Sequence, residues 1–288
     1  VASSTLDLGT SKKNILLPSR WIFPMSETSM TETLGTAQTI QGVMAADTAL
    51  HFLFRQLGLI PDAVMGVGVG EIIALECAGA INLPEKRNRI TMLGEGFRLI
   101  SDVTTNEKIV PNCVNLSAIC SDRERLEEIL SPFEGHAIIA CDQTPELFTI
   151  SVETAVAEKV EATLSEESIT FRHLPSVKKP FHTKKMEPYA KRFLEYYSST
   201  INCEPAIPVY SCKTADKISG TKDDIIQTAA EQWLNPLYIS KTIEKLYEDG
   251  YRVFVELGAR GVLTTCVAAT LRHKPHLAPV SYTHLTLP

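Results

Sequence analysis

The segment AVMGVGVGEIIALECAGAI at residues 63–81 restricts the possible folds more than any other part of the sequence. A short apolar run leads into the turn Gly66–Gly70, and a helical pattern follows it. A strand, a tight glycine-rich turn and a helix in this order are typical of α/β enzymes, where such a turn presents a nucleophile or binds a phosphate. The residues between the glycines are Val67 and Val69, so this turn carries no side chain that can react.

Phosphate binding is one interpretation of the turn. The dinucleotide-binding pattern is G-x-G-x-x-G, whereas the third glycine here comes one residue early. The following helix opens on Glu71, and a carboxylate at a helix N-terminus would repel a phosphate. Nucleotide binding is therefore kept only as an alternative function.

A nucleophile elbow, G-x-S-x-G, is the second interpretation. Gly66 and Gly70 would be the small flanking residues that let the strand and the helix pack closely, and Gly68 takes the place of the serine. An elbow forces its central residue into unfavourable backbone angles, which glycine adopts without penalty. The pattern therefore predicts the backbone of an elbow without its nucleophile.

Strand and helix patterns alternate on both sides of a central segment that has a different rhythm. A helical pattern covers Thr39–Leu57, and Asn82, with Pro84 in the first turn, is expected to begin another helix. After the central segment the patterns predict a helix at Met186–Tyr197, a strand AIPVYSC, helices at Asp224–Leu234 and Ser240–Glu248, a strand RVFVELG and a helix VLTTCVAATL. This alternation indicates a mostly parallel α/β sheet.

The central segment predicts the β-α-β-β-α-β order of a ferredoxin-like module. Its strands are IVPNCVNLSAI, HAIIACD, LFTISVE and ITFRHLP, and its first helix, SDRERLEEIL, is expected to begin at a capping box of Ser121 and Glu124. We therefore expect a discontinuous core of residues 1–108 and 179–279, with a ferredoxin-like subdomain inserted at residues 109–178.

Charge and hydropathy argue against several partner classes. The net charge is −6 at pH 7, which is unfavourable for a nucleic-acid or anionic-membrane surface. The longest apolar stretches end well short of the ~20 residues of a transmembrane helix. The seven cysteines form no C-x-x-C pair and are expected to be buried, reduced thiols of a cytoplasmic protein, without a metal site.

Both ends of the sequence look artificial. The chain begins at Val1 without Met, and its last residues, VSYTHLTLP at Val280–Pro288, do not continue the preceding pattern. They resemble the translation of a transposon-based sequencing adapter. We expect residues 280–288 to be an artefact and the chain to be a fragment of a longer protein.

The turn Gly66–Glu71 occurs with three further motifs, TIQGVMAADTAL, KKPFHTKKMEPY and EQWLNPLYISKTIEKLYEDGYRVFVELGARGVLT. The turn resembles the Gly-His-Ser-x-Gly-Glu signature of the malonyl-CoA/acyl-CoA:acyl carrier protein transacylases. The first of the three motifs resembles the family's helix before that turn, the second its AFHSPLM motif, and the third its stretch ending in E-x-G-P-x-x-x-L. More closely, the chain resembles the acyltransferase domains of polyketide and polyunsaturated-fatty-acid synthases, from about Thr39 to Leu277. The resemblance implies an α/β-hydrolase-like fold that contains the ferredoxin-like insert.

The resemblance also implies a role for each matching position. In the family, an elbow serine takes an acyl group from coenzyme A and passes it to the phosphopantetheine thiol of a carrier protein, with a histidine as general base. The base matches His182, the residue whose backbone carbonyl orients it matches Asn235, and the serine position is Gly68. Val67 stands where the family has a histidine of the acyl pocket, and Val69 would offer its backbone N–H to the oxyanion.

The family arginine that binds the free carboxylate of malonyl groups falls on Leu93 when the sequence is matched without gaps. Only a shift of register would bring Arg89 or Arg98 to this position. The glutamine of an early GQGSQ loop, the other oxyanion contributor, is absent or replaced within LLPSRWIF. Because nucleophile, pocket histidine and carboxylate clamp are all changed, we expect a catalytically inactive acyltransferase domain.

Substrate and partners follow from the same resemblance. It implies coenzyme A thioesters as substrates, without a bound cofactor or metal. The partners would be an acyl carrier protein and the neighbouring ketosynthase and linker domains of a synthase, which this domain would hold in place as a scaffold. Lys178, Lys179, Lys184 and Lys185 are expected to form a solvated face, or to attract coenzyme A phosphates or an acidic carrier protein.

An active acyltransferase with a different nucleophile is the main alternative. The candidates would be cysteines such as Cys77, which lies in the helix after the turn. Their apolar neighbours indicate buried structural thiols. The sequence therefore favours an inactive copy.

Overall fold

In the computed structural model, two five-stranded sheets form the framework of the part of the chain that the structure describes. The structure describes residues 13–18, 36–83, 86–175, 177–218, 220–258 and 261–278. The strands are β1 Lys13–Pro18, β2 Ala63–Gly66, β3 Cys113–Ile119, β4 Ala137–Thr144, β5 Leu147–Glu153, β6 Thr170–His173, β7 Val209–Ser211, β8 Asp216–Lys217, β9 Leu237–Tyr238 and β10 Tyr251–Leu257. The α-helices are α1 Thr36–Gln56, α2 Gly70–Cys77, α3 Lys86–Thr105, α4 Arg123–Leu130, α5 Ala157–Glu166, α6 Ala190–Thr200, α7 Lys222–Glu231, α8 Ile239–Glu248 and α9 Val262–Thr270.

The first sheet carries the glycine-rich turn. Its strand order is β10-β1-β2-β7-β8, and its neighbouring strands are parallel except for β7 and β8. The predicted α/β fold with a mostly parallel sheet is thus confirmed. The sequence patterns did not predict β1, although this strand lies between β10 and β2, because KNILLP contains only a three-residue apolar run, too short to show a period.

The second sheet contains the predicted ferredoxin-like module. Its order is β6-β3-β5-β4-β9, and β6, β3, β5 and β4 pair antiparallel. The helices α4 and α5 connect its strands in the order β-α-β-β-α-β that the sequence predicts. The short strand β9, which comes later in the chain, adds to this sheet in parallel to β4. The two sheets are therefore joined by more than the ends of the insert.

The two faces of the second sheet differ in character. One face supplies Leu116, Phe148 and Ile150 to an apolar cluster that also contains residues of α4 and α5. The other face carries polar side chains that are nonetheless buried, among them Asn115, Ser117, Thr149 and Ser151. Alternation along the strands produces this division, since successive side chains point to opposite faces. The polar face is the one that contributes to the candidate site.

Several helix ends differ from the sequence predictions. The capping residue of α4 is Asp122 rather than Ser121: its backbone is extended and its carboxylate accepts from the backbone N–H of Arg125 at 2.7 Å. The predicted helix at Met186–Tyr197 is divided into a 3₁₀ segment, Lys184–Tyr189, and α6, because Pro188 has no N–H to donate to an α-helical bond.

Some predictions fall on parts of the chain that the structure does not describe. Pro84 lies outside the described residues, as does the predicted artefact segment 280–288. Within the described ranges, no helix combines the length and the apolar character that a membrane crossing requires. The same ranges contain no group of three histidine, cysteine or acidic side chains arranged to hold a metal ion.

Candidate active site

The glycine-rich turn has the backbone of an elbow. Strand β2 ends at Gly66 and α2 begins at Gly70, and the N–H of Gly70 donates to the carbonyl of Val67 at 3.0 Å. Gly68, at the tip, has φ +58°, in the left-handed region that glycine adopts readily. A Cβ on Gly66 would lie 2.2 Å from the backbone oxygen of Gly70. Strand and helix therefore touch backbone to backbone.

Replacing Gly66 with alanine should destabilise the fold, because the added methyl group would meet backbone that cannot move independently of the sheet. We expect a loss of about 1–3 kcal/mol or more in the free energy of unfolding, measured by denaturant titration. Gly42→Ala in α1 is the matched control, since a Cβ there meets nothing within 4 Å. Equal stabilities of the two variants would contradict the close contact between β2 and α2.

His182 faces the tip of this elbow. A Cβ placed on Gly68 would lie 3.4 Å from His182 Nε2. His182 Nδ1 lies 2.7 Å from the backbone oxygen of Gln232. Because a carbonyl can only accept, Nδ1 carries the proton, and Nε2 is the basic nitrogen of the neutral ring. The structure thus brings together two of the predicted positions, with the basic nitrogen turned toward the tip of the elbow.

The end of helix α7 holds His182 in place. The backbone N–H of His182 donates to the carbonyl of Trp233 at 3.0 Å, and the two rings stack with centroids 5.7 Å apart. These contacts support a left-handed backbone at His182, whose φ is +63°. Carbonyls at the C-terminus of a helix lack intrahelical partners, so those of Gln232 and Trp233 can accept hydrogen bonds from His182.

The carbonyl that orients His182 belongs to Gln232, which corrects the prediction for Asn235. The side chain of Asn235 instead donates to the backbone oxygen of Glu231 at 2.8 Å. The reason is the end of α7 at Glu231, which places the unpaired carbonyls at the residues directly after it. Asn235 therefore contributes to the turn after the helix rather than to the ring.

Two cavities adjoin the elbow, and Val69 and Trp233 line both. The first, which we call the apolar cavity, contains the predicted residue Leu93 together with Met44, Ile72 and Ile100. None of the described residues that line it is charged. The backbone N–H of Val69, the predicted oxyanion donor, has no acceptor among the described residues.

Val67 and the two arginines considered as replacements lie elsewhere. The side chain of Val67 is fully buried in a cluster with Met65 and Leu263 and lines neither cavity, which differs from the predicted pocket position. Arg98 is exposed, and the side chain of Arg89 lies outside the described part of the chain. No cation therefore enters the apolar cavity from the described residues.

The second cavity, which we call the elbow cavity, lies between the tip of the elbow and the polar face of the second sheet. Gly68 and His182 line it. Its other polar lining residues are Asn115, Gln143, Thr149, Arg172 and Lys179. Sequence reasoning did not select Asn115, Gln143, Thr149 or Arg172. Only their position on one face of the module could have pointed to them.

Lys179 is inside the protein rather than on a solvated face. It is 1% exposed, and its ammonium donates to the carbonyls of Val110 and Asn106. Burial lowers its pKa. Of the other lysines predicted to attract anions, Lys185 pairs with Glu153. The expected cluster of four solvated lysines is therefore wrong for Lys179.

The cysteines do not offer a substitute nucleophile at this site. Among the described residues, no cysteine lines the elbow cavity. Cys77 and Cys113 are buried, and desolvation raises the pKa of each thiol. A thiol with a raised pKa is a weak nucleophile because little of it is ionised at neutral pH.

Glu71 at the start of α2 is fully buried. Its Oε2 accepts from Ser211 Oγ at 3.1 Å, while its Oε1 has no partner among the described residues. Burial raises the pKa of Glu71 to about 8. The carboxyl is therefore largely neutral at pH 7. The predicted repulsion between a Glu71 carboxylate and a phosphate does not arise in this structure.

Comparison with known proteins gives a consistent result, although no family model matches the chain. The chain is 28% identical over 230 residues to a malonyl CoA-acyl carrier protein transacylase of Bacillus subtilis, covering 78% of this chain and 69% of the relative. It is 24% identical to a mycocerosic acid synthase-like polyketide synthase of Mycolicibacterium smegmatis, covering 86% of this chain but 12% of the synthase.

Solved structures agree at the level of the fold. The acyltransferase domain from the second module of the salinomycin polyketide synthase has a TM-score of 0.77, with 23% identity, and the match covers 94% of this chain and 69% of that one. An acyl carrier protein S-malonyltransferase from Vibrio cholerae has a TM-score of 0.78, with 18% identity, covering 93% and 97%. The sequence relatives and structural neighbours of this chain are thus malonyl-CoA:acyl carrier protein transacylases and polyketide synthase acyltransferase domains, which confirms the family resemblance of its motifs.

Proposed function

We propose that this chain is an acyltransferase domain of a polyketide or fatty-acid synthase that binds acyl thioesters in the elbow cavity but does not form an acyl-enzyme. The observation that supports the proposal most strongly is the short distance between His182 and the tip of the elbow. His182 Nε2 lies 3.4 Å from the position of a Cβ on Gly68, yet residue 68 has no side chain to activate. The base and its orientation are present, while the nucleophile is missing.

The missing hydroxyl blocks the first chemical step. In a serine acyltransferase, the hydroxyl oxygen attacks the thioester carbonyl while the histidine takes its proton. The carbon–sulfur bond then breaks, and the histidine returns the proton to the departing thiolate. Without an oxygen at residue 68 the first bond cannot form. Removal of one member of such a catalytic group lowers the rate by ~10⁴–10⁶-fold.

Neither alternative function gains support from the site. A second nucleophile would have to reach the thioester beside His182, and no cysteine among the described residues lines that cavity. For nucleotide binding, the glycines would have to leave room for a phosphate. Gly66 is instead required by the contact between β2 and α2. We therefore favour a binding and scaffold role within a larger synthase.

The proposed partners follow from the relatives. The transacylase relative is named for an acyl carrier protein, and the chain covers 12% of the synthase from Mycolicibacterium smegmatis. We propose that this domain occupies the place of an acyltransferase beside the ketosynthase and linker of such an assembly. Acyl loading would then be carried out by another domain or chain.

Incubation with acyl-CoA, followed by intact-mass spectrometry, tests the proposal. We expect no mass increase with malonyl-CoA or acetyl-CoA, while an active transacylase of the family, treated in parallel, gains one acyl group. Calorimetry should nevertheless detect reversible binding of acyl-CoA. A covalent adduct on any residue would refute the inactive state, and an absence of binding would refute the thioester site.

A further inference from the structure

We propose that Arg172 binds the anionic group of an acyl thioester in the elbow cavity, a role that rests on the proposed thioester site. The anion has two possible sources, the free carboxylate of a malonyl-type acyl group and a phosphate of coenzyme A. Both are oxyanions that a guanidinium can bind through two parallel hydrogen bonds. The position of Arg172, its lack of a partner and the charge of the cavity carry the proposal.

Strand β6 places Arg172 on the polar face of the second sheet. Arg172 pairs with Ser117 of β3, which in turn pairs with Thr149 of β5. Its neighbour Phe171 packs against the apolar cluster on the opposite face. The guanidinium therefore belongs to the same row of side chains as Thr149, which also lines the elbow cavity.

Arg172 is half-buried and has no ion-pair or hydrogen-bond partner among the residues that the structure describes. Other arginines of the same subdomain are paired. Arg123 contacts Glu127 and Asp142. Arg125 contacts Glu128 of the same helix and Glu167, which directly follows α5. A partly desolvated guanidinium without a counter-ion is unfavourable on its own. An anionic ligand would supply the missing partner.

The other basic side chains of the elbow cavity already donate hydrogen bonds within the protein. The Lys179 ammonium donates to two backbone carbonyls, and His182 Nδ1 donates to a third. None of the described residues that line the cavity is acidic. Arg172 is thus the lining cation whose donors are not used by any residue that the structure describes. The cavity as a whole attracts negative charge.

The apolar cavity strengthens this assignment. Leu93 stands there at the position matched to the family's carboxylate-binding arginine, and no charged residue lines that cavity. A carboxylate placed against Leu93 would lose its hydration without gaining a partner. An anionic group that enters this site is therefore stabilised on the side of Arg172.

Calorimetric titration tests the proposal and identifies the source of the anion. The full chain and Arg172→Gln are each titrated with malonyl-CoA, acetyl-CoA and malonyl-N-acetylcysteamine. The first ligand carries carboxylate and phosphates, the second only phosphates and the third only the carboxylate. Loss of one charge-assisted bidentate contact should weaken binding on the order of tenfold or more. Arg125→Gln, on an exposed and paired arginine of the same subdomain, is the matched control.

Two patterns support the proposal. If Arg172→Gln weakens malonyl-CoA at least about tenfold and leaves acetyl-CoA within about twofold, the partner is the carboxylate. If it weakens both coenzyme A esters and leaves malonyl-N-acetylcysteamine unchanged, the partner is a phosphate. In either case Arg172→Lys should recover part of the affinity, because it keeps the charge and loses the fork geometry.

If Arg172→Gln binds all three ligands as tightly as the unsubstituted chain does, the proposed role of Arg172 is overturned, while the thioester site stands. An unsubstituted chain that binds none of the ligands would overturn the thioester site, and the role of Arg172 with it. Thermal unfolding of both proteins shows whether Arg172→Gln is correctly folded. Because Arg172 has no partner among the described residues, we expect Arg172→Gln and the unsubstituted chain to unfold at similar temperatures.

Discussion

Gly68→Ser should form an acyl-enzyme, which we expect the unsubstituted chain not to form. The serine Cβ would lie 3.4 Å from His182 Nε2 without a clash, which leaves the hydroxyl within reach of the basic nitrogen. We expect the rate of acylation by acyl-CoA to exceed any background modification of the unsubstituted chain on the order of 10³-fold, because a missing triad member costs at least this much. Intact-mass measurements over time, with acetyl-CoA and malonyl-CoA, would quantify the gain.

The gain should stay below the activity of an intact transacylase. Val67 and Leu93 differ from the family residues, so Gly68→Ser does not rebuild the acyl pocket. The left-handed backbone at residue 68 also costs a serine roughly 1–2 kcal/mol. Gly68→Ala is the matched control for this strain, and the double variant Gly68→Ser/His182→Ala should not acylate. Full malonyl transfer by Gly68→Ser alone would disprove this account of the pocket.

Glu71→Gln should remove a large pH dependence of stability. The pKa of Glu71 is about 8 in the folded chain, against an ordinary value near 4.5, because burial disfavours the charged form. Between these values the unfolded chain has released the proton and the folded chain retains it. The free energy of unfolding therefore falls by about 1.4 kcal/mol per pH unit as pH rises from 4.5 to 8. Below pH 4.5 the contribution is fully present.

Denaturant titrations at pH 5, 6, 7 and 8 would measure this effect as the difference between the two proteins. Glu71→Gln keeps an acceptor for Ser211 Oγ and has no proton to release, so we expect it to gain stability relative to the unsubstituted chain as pH rises. Glu158→Gln, on an exposed residue of α5, is the matched control and should leave the slope unchanged. Parallel slopes for all three proteins would show that Glu71 is ionised in the folded state.

Much of the fold could be predicted because the strands and helices have clear periods. The strand LFTISVE is observed as β5, and RVFVELG corresponds to β10. In contrast, the apolar run of β1 is too short to show a period, and the place of this strand in the sheet depends on pairing with β10, far away in the sequence. Long-range pairing of this kind leaves no local signal.

The candidate site was predicted in part, and the misses have a common cause. Gly68 and His182 were located by their motifs, whereas the ring is held by Gln232 and not by Asn235. Arg172 lies in a short strand whose sequence predicts a strand but does not show which side chains face the site. Which face of that strand adjoins the elbow is decided by how the two sheets meet. Spatial neighbours from separate elements therefore had to come from the structure.

The pairing of β1 with β10 also determines when the molecule can be completed. Lys13–Pro18 is made well before its partner strand, Tyr251–Leu257, which is the last in the chain of the strands that the structure describes. The contacts of the ferredoxin-like module lie within one continuous stretch of chain, so loop closure there is short and favourable. The first sheet cannot be completed until Tyr251–Leu257 has been made, and β1 stays unpaired on one side until then. During this interval the unpaired edge of β1 is exposed, and the chain is then most prone to misassembly.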